Sequence, residues 1–217
     1  KIGISNDVKI FACTRNNGVM RSDNAGASWT KVLGINVNAT SDRAVDLIIT
    51  TDNVIFVSLG IFSTDGIYRS EDLGDSWVKM TNGLPAGGYQ RIALAGSAQN
   101  ENLIYASTVK GKNEKAYLMK SINGGSLWDT IYEADANLNK VLMLNENKGF
   151  LLTNSEQKVG ILKSTDAGNS WENKIPEDYG SFYSGTLQLK DIIALDSNNL
   201  IVIGRGSTSD QGLLLSS

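Results

Sequence analysis

The chain has 217 residues, 41% hydrophobic and 20% charged, with only two prolines and a formal net charge of −3. That is the composition of a folded globular chain, and its charge gives no electrostatic reason to expect nucleic acid. Histidine is absent and Cys13 is the one cysteine, which removes histidine-based nucleophilic catalysis, histidine metal sites and any disulfide within the chain.

Taken in order, the strand signals come in groups of four. Ile2 to Ser5, Val8 to Thr14, Gly18 to Ser22 and Trp29 to Leu33 make the first group, and Ala44 to Thr50, Val54 to Leu59, Gly66 to Ser70 and Trp77 to Met80 the second. The third runs Arg91 to Ala95, Leu103 to Thr108, Ala116 to Ser121 and Trp128 to Glu133. Lys140 to Leu144, Gly149 to Thr153, Val159 to Ser164 and Trp171 to Lys174 form the fourth, and Leu187 to Leu195, Leu200 to Gly204 and Gly212 to Ser216 begin a fifth. Helical periodicity is nowhere sustained. No stretch reaches the roughly 20 apolar residues of a membrane span, so membrane insertion is not expected.

One sentence recurs through these groups: Ser, any residue, Asp or Asn, any, Gly, two more, then Trp. Its copies are Ser22, Asn24, Gly26 and Trp29; Ser70, Asp72, Gly74 and Trp77; Ser121, Asn123, Gly125 and Trp128; and Ser164, Asp166, Gly168 and Trp171. Hydroxyl and carboxamide or carboxylate oxygens can bond the backbone of a tight turn, glycine tolerates positive φ, and the indole can cover a gap between sheets while its N–H finds a carbonyl. The serines at 22, 70, 121, 164 and 216 stand 48, 51, 43 and 52 residues apart, the period of a four-stranded propeller blade.

These boxes, with Gly83-Leu84-Pro85, Arg91-Ile92-Ala93-Leu94 and Asn102 to Ser107 between them, resemble the Asp-box (BNR-repeat) propellers of the sortilin and xyloglucanase type. The expectation is an all-β propeller of four-stranded antiparallel blades, spanning 1–33, 44–80, 91–133, 140–174 and an incomplete 187–217. About four and a half blades are present, an open piece of a ring of six to eight whose remaining blades belong to the same polypeptide.

The resemblance implies that the boxes stabilise the rim face opposite the ligand face, so Asp72 and Asp166 are turn caps before they are a catalytic pair. Ligand residues are expected on the other face: Phe62 and Asp65, Tyr89 and Arg91, and the aromatic loop of Glu177, Asp178, Tyr179, Phe182 and Tyr183. Aromatic faces beside carboxylates suit sugar rings, although covering loop bases is the commoner use of such side chains. Lys110, Lys112 and Lys115 read as a solvated loop and Cys13 as a small buried filler.

No cofactor and no metal is expected. The functional expectation is a non-catalytic binding or scaffold module of a secreted or cell-surface bacterial protein, such as cargo of type IX secretion, that takes a protein partner or a glycan. The alternative is part of a glycoside hydrolase, xyloglucanase-like sooner than sialidase, because the arginines supply no sialidase-like triad opening and Arg21 and Arg69 belong to box lead-ins.

Overall fold

The computed structural model describes residues 1–34, 43–61, 65–86, 89–112, 114–154, 159–174, 188–194, 199–205 and 213–216. Strands β1 (Ile2–Ile4), β2 (Ile10–Thr14), β3 (Gly18–Ser22) and β4 (Thr30–Leu33) form sheet 1, and β5 (Ala44–Ile49), β6 (Ile55–Leu59), β7 (Gly66–Ser70) and β8 (Val78–Met80) form sheet 2. Sheet 3 holds β9 (Tyr89–Gly96), β10 (Ile104–Lys110), β11 (Ala116–Ser121) and β12 (Asp129–Ala134). Sheet 4 holds β13 (Asn137–Met143), β14 (Gly149–Asn154), β15 (Val159–Ser164) and β16 (Glu172–Asn173), and sheet 5 holds β17 (Gln188–Ala194), β18 (Asn199–Arg205) and β19 (Leu213–Ser216). Every pairing is an antiparallel neighbour in sequence order, and no helix occurs among the described residues.

Burial explains the residue choice strand by strand. A second strand with a sheet on either side is covered on both faces: all five residues of β6, Ile55-Phe56-Val57-Ser58-Leu59, are buried. Fourth strands lie at the edge, and β8 and β16 are correspondingly short and mostly exposed. First strands carry a bulge near their start, between Ala44 and Asp46 in β5, between Leu138 and Lys140 in β13 and between Leu189 and Asp191 in β17. That bulge is why β13 begins at Asn137 and not at Lys140: pairing continues past an extra residue that breaks the apolar alternation.

The core is four clusters, each lying between one sheet and the next. Phe11 and Val19 of sheet 1 meet Leu47, Ile55, Val57 and Tyr68 of sheet 2; Phe56 and Ile67 then meet Ile92, Leu94, Ile104 and Trp128 of sheet 3. Tyr105 and Leu118 meet Leu138, Val141 and Leu151 of sheet 4, whose Phe150, Leu152 and Ile161 meet Leu189, Ile192 and Val202 of sheet 5. Each large side chain buried there is worth about 1.5–3 kcal/mol, against about 1 kcal/mol net for a hydrogen bond. Apolar burial therefore holds the sheets together, and the polar contacts between them set their alignment.

Candidate functional site

The four boxes fold alike, with the serine hydroxyl and the Asp or Asn side-chain oxygen bonding the turn itself. In each, the serine Oγ donates to Oδ1 of the Asp or Asn two residues on, at 3.0, 2.8, 2.9 and 2.8 Å. The same Oγ accepts from the box glycine N–H at 2.8–2.9 Å, and Oδ1 accepts the N–H of Ser28, Ser76, Leu127 or Ser170. Donors from Ser76 and Ser70 hold the Asp72 carboxyl down at about 2, and Ser170 and Ser164 do the same for Asp166. Trp29, Trp77 and Trp171 close the turn by donating Nε1–H to the carbonyl of Gly26, Gly74 and Gly168. Trp128 departs: its indole is buried with Nε1 unpartnered among the described residues, beneath a strap in which Asn82 accepts the Trp128 N–H and donates to the Ser126 carbonyl.

Boxes two to four are also gripped by the preceding sheet. Second and third strands oppose an aromatic and a cation in the same register, Phe11 with Arg21, Phe56 with Arg69, Tyr105 with Lys120 and Phe150 with Lys163. The cations of the last three pairs sit 5.8–5.9 Å over their rings. From there Arg21 Nη1 donates to the Leu73 carbonyl at 2.8 Å and to Asp75 Oδ1 at 2.6 Å, both in the second box. Tyr105 Oη and Lys120 Nζ both donate to the Ala167 carbonyl in the fourth box, at 3.0 Å. The aromatic ring meanwhile lies against the next box's glycine: ideal Cβ atoms at Gly74, Gly125 and Gly168 would come within 3.0 Å of Phe11, 2.6 Å of Phe56 and 3.4 Å of Tyr105.

This machinery occupies one end of the sheets. The hairpin turns between first and second strands share that end, since Gly124 donates to the Asn102 carbonyl and Ala167 to the Asn147 carbonyl. The opposite end carries the turns between second and third strands and the entries of the first strands, and there the expected ligand residues divide. Asp65 is engaged in its own sheet, accepting from Tyr68 Oη at 2.9 Å and Lys79 Nζ at 3.2 Å. Tyr89 is buried between sheets 2 and 3, donating to the Pro85 carbonyl at 3.3 Å and meeting Tyr117 edge-on with centroids 5.8 Å apart. Burial, with Tyr117 beside it, pushes the Tyr89 phenol above its ordinary range. Arg91 is exposed on β9. Phe62, Glu177, Asp178, Tyr179, Phe182 and Tyr183 lie outside the described residues.

Two carboxylates absent from the expected set stand on first strands. Asp46 is buried: Oδ1 accepts Leu47 N–H at 2.9 Å and Lys1 Nζ at 2.8 Å, while Oδ2 accepts Leu94 N–H of sheet 3 at 2.9 Å. Asp191 takes Ile192 N–H in the same way and pairs with Lys140 of sheet 4 at 3.4 Å. Both were visible in the sequence as an acid inside an apolar strand, Asp46-Leu47-Ile48 and Asp191-Ile192-Ile193. Asn154 similarly joins sheets 4 and 5, exchanging both amide bonds with the Leu189 backbone at 2.8 and 2.9 Å. Burial lifts the Cys13 thiol to about 12, which keeps it protonated and unreactive at neutral pH. Among the described residues, no three His, Cys, Asp or Glu side chains come together as a metal site.

No known family profile matches this sequence, and none of the curated proteins does. Solved structures do. The chain superposes on a GH74 xyloglucanase from Xanthomonas campestris with TM-score 0.69 and 15% identity, covering 97% of this chain and 36% of that one. The extracellular domain of the one-component system BT4673 from B. thetaiotaomicron matches with TM-score 0.67 and 14% identity over 99% of this chain and 26% of its own. A Hadza microbial sialidase matches with TM-score 0.53 and 14% identity over 95% of this chain and 44% of its own. All three have β-propeller folds. The fold is a β-propeller. Its blades are the five sheets, and the chain spans about a third of the length of the xyloglucanase it resembles.

Proposed function

We propose that this propeller is a non-catalytic binding module, taking a glycan or a protein partner on the face opposite the boxes as part of an exported or cell-surface protein. The observation that carries this reading is the state of its carboxylates. Glycoside hydrolysis needs an acid whose pKa is raised so that it can protonate the leaving group. Among the described residues, Asp72 and Asp166 are held ionised by the donors of the turns they cap, and Asp46, Asp65 and Asp191 are taken up by backbone N–H groups, a tyrosine hydroxyl or lysines of the sheets around them. Extracellular placement is supported by the likeness to the extracellular domain of BT4673.

The second reading is part of a glycoside hydrolase, favoured by the likeness to a xyloglucanase and a sialidase. One experiment separates the two: a glycan array and calorimetric titration with xyloglucan oligosaccharides, beside hydrolysis assays on xyloglucan and sialosides. Binding without turnover, weakened by Arg91→Ala and untouched by Asp72→Asn, is the expected result. Release of reducing sugar or sialic acid by the purified chain overturns the binding-module reading.

A further inference from the structure

The chain holds three Asn-Gly pairs, at Asn17-Gly18, Asn82-Gly83 and Asn123-Gly124, and the fold treats them differently. Such a pair is chemically labile, because with no Cβ in the way the glycine nitrogen can reach the asparagine Cγ. At Asn123 both partners are tied: Oδ1 accepts from Ser121 Oγ at 2.9 Å and Leu127 N–H at 3.0 Å, and Gly124 N–H donates to the Asn102 carbonyl at 3.0 Å. At Asn17 the backbone is tied, since Gly18 is paired with Thr14 in the β2–β3 hairpin and Thr14 Oγ1 accepts Asn17 N–H and donates to the Gly18 carbonyl. At Asn82 both residues of the pair are exposed, and Gly83 N–H has no hydrogen-bond partner among the described residues. One bond, from Asn82 Nδ2 to the Ser126 carbonyl at 3.2 Å, holds the carboxamide.

We propose that Asn82-Gly83 is a self-modifying latch between sheets 2 and 3. The Gly83 nitrogen attacks Asn82 Cγ; the new N–C bond closes a succinimide ring, the Cγ–Nδ2 bond breaks, and the proton of Gly83 N–H leaves with that nitrogen as ammonia. Water, the one co-reactant, then opens the ring, at Cγ to give aspartate or at the Asn82 backbone carbonyl to give isoaspartate, and nothing is oxidised or reduced. Both products undo the latch. A carboxylate replaces the donor that faces the Ser126 carbonyl, and in isoaspartate the main chain gains the side chain's methylene just before Gly83. Gly83 has no room for that shift: its φ is +76°, and even a Cβ there would overlap the Trp128 carbonyl. The strap's other bond, from Trp128 N–H to the Asn82 carbonyl at 3.1 Å, is displaced with it, and the buried Trp128 indole loses its cover.

The test follows the whole 217-residue chain in mildly alkaline buffer, folded and in urea. Peptide mass spectrometry reads the exchange of ammonia for water at each pair, and electron-transfer fragmentation separates isoaspartate from aspartate. Asn123 must open two more hydrogen bonds than Asn82, each worth about fivefold in rate, so Asn82 converts about twenty times faster in the folded chain, with Asn17 also behind it. In urea the three convert at like rates. An Asn17 or Asn123 that keeps pace with Asn82 in the folded chain overturns the proposal, and so does the same ranking in urea, since the fold then has no part in it. Hydroxyl-radical footprinting of the same samples tests the latch: oxidation at Trp128 rises in step with the converted fraction of Asn82, while Trp171 and the circular dichroism spectrum stay unchanged. A Trp128 equally protected in the fresh and the fully converted chain overturns the unlatching.

Discussion

Replacing the box glycine by alanine, one box at a time, separates the strain of the turn from the contact between sheets. All four glycines have positive φ, from 82° at Gly168 to 92° at Gly26, so alanine carries the same backbone cost in each, about 1–2 kcal/mol. What differs is the space for the methyl group. At Gly26 it is free to 4.0 Å; at Gly74 and Gly168 it comes within 3.0 Å of Phe11 and 2.9 Å of Ile131; at Gly125 it is driven to 2.6 Å from Phe56. Overpacking of this kind costs a further 1–3 kcal/mol or so. Gly26→Ala should therefore lose about 1–2 kcal/mol and Gly125→Ala about 3–4 kcal/mol, with the other two between them. Urea denaturation followed by tryptophan fluorescence reads these differences directly from the midpoints. Equal losses at Gly26 and Gly125 would refute the reasoning, because the ring of the preceding sheet would then contribute nothing.

Three further outcomes follow from the same geometry. Ala167 sits at φ +61°, a conformation that Gly124 supplies at the equivalent place in the third box; Ala167→Gly should raise stability by about 0.5–1 kcal/mol in the same denaturation assay. Tyr105→Phe removes one of two donors to the Ala167 carbonyl and should cost about 1 kcal/mol, with a double-mutant cycle against Lys120→Met showing coupling between them. Asp72 and Asp166 lie at about 2 in the folded chain against an ordinary 3.8, so their stabilisation is complete above pH 4 and is lost as the pH falls through 2. The Asp72→Asn, Asp166→Asn double variant should accordingly show a shallower decline in thermal midpoint between pH 4 and pH 2 than the parent chain.

The fold was legible because its signals are local and repeated. A serine-to-tryptophan turn of eight residues, recurring near every fifty, fixes both the strands on either side of it and the number of strands between copies. The site was much less legible, because in this architecture a side chain's use depends on the neighbouring sheet. Tyr89 reads as a loop aromatic beside an arginine, yet lies buried against Tyr117 with its hydroxyl taken by Pro85. Asp65 reads as a free acid before a box, yet its oxygens are used by Tyr68 and Lys79, the latter fourteen residues on and on the neighbouring strand. The pairing of Phe56 with Arg69 was present in the sequence as an aromatic and a cation thirteen residues apart, but only their shared register, and the box waiting in the next sheet, gives the pair its purpose.

The grip of each sheet on the turn of its successor also has a direction. Arg21 with Phe11, and Lys120 with Tyr105, are complete once their own sheet has formed, and the turn they seat arrives later in the chain. Each sheet after the first can therefore dock on a template already made on its amino-terminal side, an arrangement that suits assembly in step with synthesis. A sheet deleted from the middle would leave its two neighbours able to join, since the template it offered is the one its predecessor also offers.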